Sequence, residues 1–176
     1  MPTLTLRPNG DNTKTDFIGV ANESNLYANV DESTLSTADY NFALNFSASY
    51  STILYNFPDV ASNVYIASIE KVTVKSYIKM TNSSNERAKL ALKIGSTIYY
   101  GTEFTPTTTN TLYTWERTTR PSDSGAWTKS NIDDLVAGVG HKSGLYTNGK
   151  YYGPYEYMTW VEVDYTISFT PKIIFI

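Results

Sequence analysis

The chain has 176 residues, enough for one domain with a sizeable core. It has no Cys and a single His, His141, which excludes disulfides, thiolate metal sites, Cys nucleophiles and His-pair metal centres. With 14 basic and 17 acidic residues the net charge is −3, so bulk attraction to nucleic acid or to an anionic membrane is not expected.

Charged residues make up only 18% of the chain, and 15 Tyr take up part of the difference. Such a composition favours pleated sheet over helix. It suits an assembly or binding protein better than an enzyme. Residues 1–10 lack a basic region followed by an apolar run, so they do not read as a secretion signal. No stretch approaches the 18 or so consecutive apolar residues that a membrane-spanning helix needs.

In chain order, residues 3–7 predict a first strand. Residues 9–16 are rich in side-chain oxygen, with Asp11 and Asp16 as candidate Ca²⁺ ligands. The segment lacks the closing Glu of a Ca²⁺-binding loop, so a turn with side-chain-to-backbone hydrogen bonds is the competing reading. Residues 17–20, 42–46 and 51–57 predict further strands.

Residues 72–80 and 90–94 alternate apolar and polar with period two, the pattern of half-buried strands. The turn-rich residues 82–86 between them predict a hairpin. Gly95-Ser96 predicts another turn, followed by strands at 97–100 and 111–117.

One helix is expected at about residues 129–137. Thr128 or Ser130 would cap its start, with Ser130 and Asp133 at capping-box spacing, and Gly138 would close it. Its Ile132, Leu135 and Val136 share a face that would plug one end of the core. A strand at 139–143 would carry His141 towards solvent or a subunit interface. Residues 146–157, rich in Gly and Tyr, read as an exposed loop, with Tyr151, Tyr152 and Tyr155 as candidate contact residues.

The clearest strand is 161–169, in which every odd residue is apolar. Val72, Val74, Leu90, Leu92, Ile94, Val161, Val163 and Ile167 are the expected core. Thr170-Pro171 interrupts this strand, because proline cannot donate to a ladder. The tail that follows contains Ile173, Ile174, Phe175 and Ile176, too apolar to be left in water.

Together these elements predict an all-β fold, a jelly-roll-like antiparallel β-sandwich of about 8–10 strands with one short helix. Residues 1–170 form a single domain, and 171–176 an assembly element that docks on a neighbouring copy or folds back on its own sheet.

Catalytic signatures are sparse. There is no nucleophile elbow around a Ser and no phosphate-cradling Gly-rich motif. Glu162 and Asp164 share a strand face beside Trp160, superficially like the carboxylate strand of jelly-roll glucanases, but Thr166 and Ile167 stand where a third carboxylate would fall. Trp160 is a candidate to stack on a sugar or on a neighbouring subunit. No cofactor is expected, a structural Ca²⁺ at Asp11 and Asp16 aside.

Several segments carry a resemblance. They are Leu6-Arg7-Pro8-Asn9-Gly10-Asp11, Trp115-Glu116-Arg117, the run 121–128, Ile132-Asp133 with Leu135, Ala137 and Gly138, and a last strand with Val161, Val163 and Tyr165. In this order they resemble β-sandwich structural proteins of tailed bacteriophages and related viruses, which occur as head decorations, fibres and tail-associated domains. The likeness runs from about residue 4 to residue 166. It implies a non-enzymatic virion component, made in the host cytoplasm, whose partners are copies of itself and other virion proteins. It brings no catalytic residues. A carbohydrate-binding sandwich module using exposed Trp and Tyr platforms, with a surface glycan as partner, is the second reading.

Overall fold

A computed structural model describes residues 1–176 except 16, 20–23, 46–49, 82–84, 143, 148–149 and 168–176. The side chains of residues 18, 44–45, 145–147 and 150–152 also lie outside the description. Twelve strands are described: β1 (Thr3–Leu6), β2 (Gly10–Lys14), β3 (Phe17–Gly19), β4 (Asn41–Asn45), β5 (Tyr50–Asn56), β6 (Ser68–Lys79), β7 (Arg87–Ile94), β8 (Thr97–Tyr100), β9 (Thr111–Arg117), β10 (Val136–Lys142), β11 (Leu145–Thr147) and β12 (Lys150–Thr166). A single 3-10 turn (Leu26–Asn29) and one short helix, α1 (Lys129–Asp133), complete the order.

The strands form two antiparallel sheets. The larger runs β3-β4-β12-β6-β9, with β1 and β11 also paired to β12. The smaller runs β2-β5-β10-β7-β8. Eight of the strands, β4 to β10 and β12, alternate between the sheets except at the β7-β8 hairpin, so that β4-β12-β6-β9 faces β5-β10-β7-β8. This interleaved order is that of a jelly roll. The all-β sandwich expected from the period-two patterning is the fold.

Val72, Val74, Leu90, Leu92, Val161 and Val163 are buried between the sheets as expected, and Ile94 packs against them half-buried. Ile167 is not in the core but 44% exposed. Its parity is right, but the last described rung of β12 pairs Thr166 with Ser68, the first residue of β6, and Ile167 lies past it.

Three further expectations are corrected. Residues 82–86 do not close a hairpin, because β6 belongs to the larger sheet and β7 to the smaller, so the chain crosses between layers. The pattern of one apolar face per strand suits side-by-side and face-to-face neighbours equally. Residues 146–147 and 150–157 are not a loop. They build β11 and the first half of β12, paired to each other from Leu145↔Tyr152 to Thr147↔Lys150.

The helix, finally, is shorter than expected and ends at Asp133, with Asp134 as its C-cap. Its capping box is Thr128 with Asn131, not Ser130 with Asp133. Gly138 lies within β10, paired with Leu54 and Ala91. A Cβ there would sit 2.1 Å from the Ile53 carbonyl oxygen, so glycine serves close strand approach rather than helix closure. Ile132 and Leu135 do reach the core.

Burial sets the expected cost of truncation. Leu92→Ala should lower the urea unfolding free energy by about 2–5 kcal/mol, whereas Ile167→Ala should change it by no more than about 0.5 kcal/mol. Equal losses in the two variants would contradict this end of β12.

Candidate interaction surface and a buried polar network

β12 positions most of the candidate residues. Against β6 its register runs Glu156↔Ile78, then Met158↔Tyr77, leaving Tyr157 as an extra residue. This bulge flips the alternation. Before it the even residue Glu156 points into the sandwich; beyond it the odd residues Thr159, Val161 and Val163 do. A second shift against β4 falls between Tyr152 and Tyr155, across Gly153-Pro154, where a missing N–H is tolerated.

On the outward face, Tyr155 and Tyr157 gather with Tyr40. The Tyr40 ring centre is 4.4 Å from that of Tyr155 and 5.3 Å from that of Tyr157, and Phe42 lies 5.8 Å from Tyr155. Tyr151 and Tyr152 pair with Asn45 and Leu44 of β4, upstream of this cluster on the same strand. Their side chains, like Ile173, Ile174, Phe175 and Ile176, lie outside the described residues.

Trp160 is covered. Tyr77 stacks on it at 5.9 Å, the Arg7 guanidinium lies 5.2 Å from its ring centre, and only 7% of the residue is exposed. It therefore offers no open platform.

Glu162 and Asp164 share the outward face but are held in ion pairs. Glu162 accepts from Lys75 at 2.7 Å and from the Trp160 indole N–H at 2.9 Å. Asp164 accepts from the Thr3 hydroxyl at 2.6 Å and lies 3.4 Å from Lys71. Burial works against ionisation of Glu162, but Lys75 and the indole N–H outweigh it and hold the carboxyl below its ordinary value. The Thr3 hydroxyl, and then Lys71, do the same for Asp164 against a smaller burial penalty. A general acid needs the opposite shift.

Asp11 sits on a strand, β2, rather than in a turn. Its carboxylate accepts from the Leu26 and Tyr27 N–H groups at 3.0 and 2.7 Å, capping the 3-10 turn. Asp16 lies outside the described residues. Among the described residues no group of three or more acidic or His side chains is placed to hold a metal ion.

The polar groups that the sequence did not single out lie inside. Glu156, fully buried, accepts from the Tyr55 hydroxyl at 2.6 Å, and its other oxygen lies 2.5 Å from the Thr159 hydroxyl. Thr159 in turn lies 2.9 Å from the Ser76 hydroxyl. Asn41 donates to the Tyr55 oxygen at 2.9 Å and to the Leu26 carbonyl at 2.8 Å, and accepts from Asn29 at 2.9 Å. Burial, opposed by the Thr159 and Tyr55 bonds, pushes the Glu156 carboxyl up to about 7.

Both protonation states can be satisfied. Ionised, Glu156 accepts from Thr159, which accepts from Ser76; protonated, it donates to Thr159, which donates to Ser76. The signal in the sequence was Glu156 itself, the only charged residue between Lys150 and Glu162.

His141 is also fully buried, not turned to solvent or an interface, with Phe17 5.2 Å from its ring. Position 141 pairs with Ser51 and Ala88 on the inward side of the smaller sheet. Burial lowers its pKa to about 3; the Pro154 carbonyl opposes this, but its geometry falls short of a hydrogen bond. Glu32, in the loop before β4, is pushed up to about 7, by burial first and then by Asp39.

No protein-family profile matches the chain, and no curated protein matches it. Among the described residues, no helix is long and apolar enough to cross a membrane.

Glu156 and His141 make opposite contributions to pH dependence. The Glu156 carboxyl is raised on folding, so its share of stability is complete below pH 4.5 and is lost as pH rises to about 7. The His141 imidazole is lowered, so its share is complete above pH 6.5 and is lost as pH falls towards 3. Between pH 4.5 and 6.5 the two slopes oppose each other. Relative to the parent, Glu156→Gln should gain stability with rising pH across this range, by up to about 1.4 kcal/mol per pH unit. Denaturant melts at several pH values measure it; a parallel pair of curves would place Glu156 in contact with water.

Proposed function

We propose that this chain is a non-enzymatic structural component of a virion, a capsid decoration, fibre or tail-associated protein that acts by assembling with copies of itself and other virion proteins. The observation that carries this reading is the jelly-roll strand order, β4-β12-β6-β9 against β5-β10-β7-β8. Viral capsid proteins use that architecture widely, and lectins share it, so the argument is one of analogy. The sequence resemblance to phage β-sandwich proteins adds to it. So does the ion-paired state of Glu162 and Asp164, which leaves neither carboxyl a proton to give near neutral pH.

The apolar residues 171–176 are the proposed assembly element. Fully burying one large apolar side chain contributes roughly 1.5–3 kcal/mol, less the cost of ordering the segment. Tyr155, beside Tyr40 and Phe42, is a proposed contact residue on the larger sheet.

Purified particles should contain the protein in fixed ratio to a known capsid or tail component, as read by quantitative mass spectrometry. Its absence from complete particles would sink the reading. Deleting residues 171–176 should leave the melting temperature nearly unchanged and abolish the oligomer or the attachment to particles. A truncated chain that assembles as well as the parent would remove the tail from this role. Glu162→Gln and Asp164→Asn should leave assembly intact and abolish no glycan-cleaving activity; a cleavage lost in either variant would make the protein an enzyme.

A further inference from the structure

The outward face of the smaller sheet is built differently from that of the larger one. Its central strand, β10, carries glycine at position 140, facing Thr52 on one side and Lys89 on the other. Tyr100 uses the space this leaves. A Cβ on residue 140 would be 3.2 Å from the Tyr100 ring and 3.5 Å from the Tyr50 ring. The Tyr100 hydroxyl is tied across the strand to the Thr52 hydroxyl at 2.9 Å. The ring thus rests on bare backbone and is pinned at its far end, yet the residue remains 41% exposed. It is an aromatic ring fixed in orientation and open to solvent, the arrangement that Trp160 lacks.

Charge collects around it. Lys89 Nζ is 4.5 Å from the Tyr50 ring centre and 5.9 Å from that of Tyr100. Arg87 stands directly opposite Lys142 in the ladder, a like-charge pairing that ordinarily destabilises a sheet. One carboxylate, Glu103, serves all three cations: it lies 3.7 Å from Arg87 and 3.9 Å from Lys89, also feels Lys142, and accepts from the Tyr50 hydroxyl. Among the described residues, these three cations share the Glu103 carboxylate beside the ring, in a chain whose net charge is −3.

We infer that this face, centred on Tyr100, binds an acidic pyranose such as the uronic-acid unit of a glycan. The C–H face of the sugar would lie on the electron-rich ring of Tyr100, and its carboxylate would meet Lys89, Arg87 and Lys142. A neutral sugar would make no use of the cations, and a small inorganic anion would leave the ring unused. The site is a surface rather than a cavity, so one unit binds weakly and repeated copies on an assembly would bind through avidity. The inference stands whether or not the chain belongs to a virion.

The test is an NMR titration of the full chain with glucuronate, glucose and acetate at constant ionic strength. Glucuronate should shift Tyr100, Thr52 and Lys89 resonances in a saturable way. Glucose and acetate should each bind at least about tenfold more weakly, the loss of one charge-assisted contact or of the stacking face.

Tyr100→Ala should abolish the response. Lys89→Gln, which keeps the ring, should weaken glucuronate about tenfold and leave glucose unchanged, and this split can be read even if Tyr100→Ala fails to fold. Equal binding of acetate would reduce the face to a general anion patch, and equal binding of glucose would dismiss the cations. An unchanged response in Lys89→Gln, or in a folded Tyr100→Ala, would also overturn the inference.

Discussion

The pairing of β12 with β6 is the constraint on which the rest of the molecule depends. β12 is 17 residues long and paired to β6 over most of its length. Its other edge is covered in succession by β4, by the Val30 carbonyl that accepts from the Thr159 N–H, by β1, and by the Pro2 carbonyl that accepts from the Tyr165 N–H, while β11 continues the β6 edge at residues 150–152. A strand saturated along both edges cannot slip, and a slip of one residue would exchange the buried face for the solvated one. The bulge at Tyr157 performs that exchange once, at a chosen place. Below it Val161 and Val163 feed the apolar core; above it Glu156 enters the same interlayer space and needs partners.

Those partners come from four other elements of the chain. Tyr55, Asn41, Asn29, Ser76 and the backbone of Leu26 are drawn together around Glu156 and Thr159. A buried carboxyl without a cation is costly, and a half-satisfied network is worse than an apolar core. Here the chain of hydroxyls can reverse direction with the proton, so neither state leaves Glu156 or Thr159 without a partner. The network joins the two sheets and the 3-10 turn at one end of the sandwich, and the apolar cluster of Val72, Val74, Leu90 and Leu92 joins them elsewhere.

The two outward faces follow from the same architecture. That of the larger sheet is closed by its own side chains: Lys71 and Lys75 neutralise Asp164 and Glu162, and Tyr77 and Arg7 cover Trp160. That of the smaller sheet keeps a glycine on its central strand, a cluster of cations and an open tyrosine ring. Aromatic composition alone does not separate these cases. Tyr100 and Trp160 both sit in strands, and what distinguishes them is what lies across the neighbouring strand: backbone at Gly140 beneath one, Tyr77 and Arg7 over the other.

Much was legible from residue order. Alternation located the strands at 72–80 and 90–94, because a half-buried strand must present one apolar face wherever it sits. The inward Ile132 and Leu135 were legible for the same local reason, whereas the cap stayed open between Thr128 and Ser130. The proline and glycine at 153–154 misled, since they mark a loop in an ordinary strand but a bulge in one whose edges are held by two partners. What the sequence by itself determined is therefore the class of the fold and the register of its regular strands, both consequences of local periodicity. Only the tertiary structure decided that β6 and β7 stack across layers rather than pair, that Glu156 and His141 turn inward, and that Tyr100 stays open while Trp160 is covered. Each of these depends on a neighbour more than ten positions away or on parity beyond a bulge, and no window of consecutive residues contains that information.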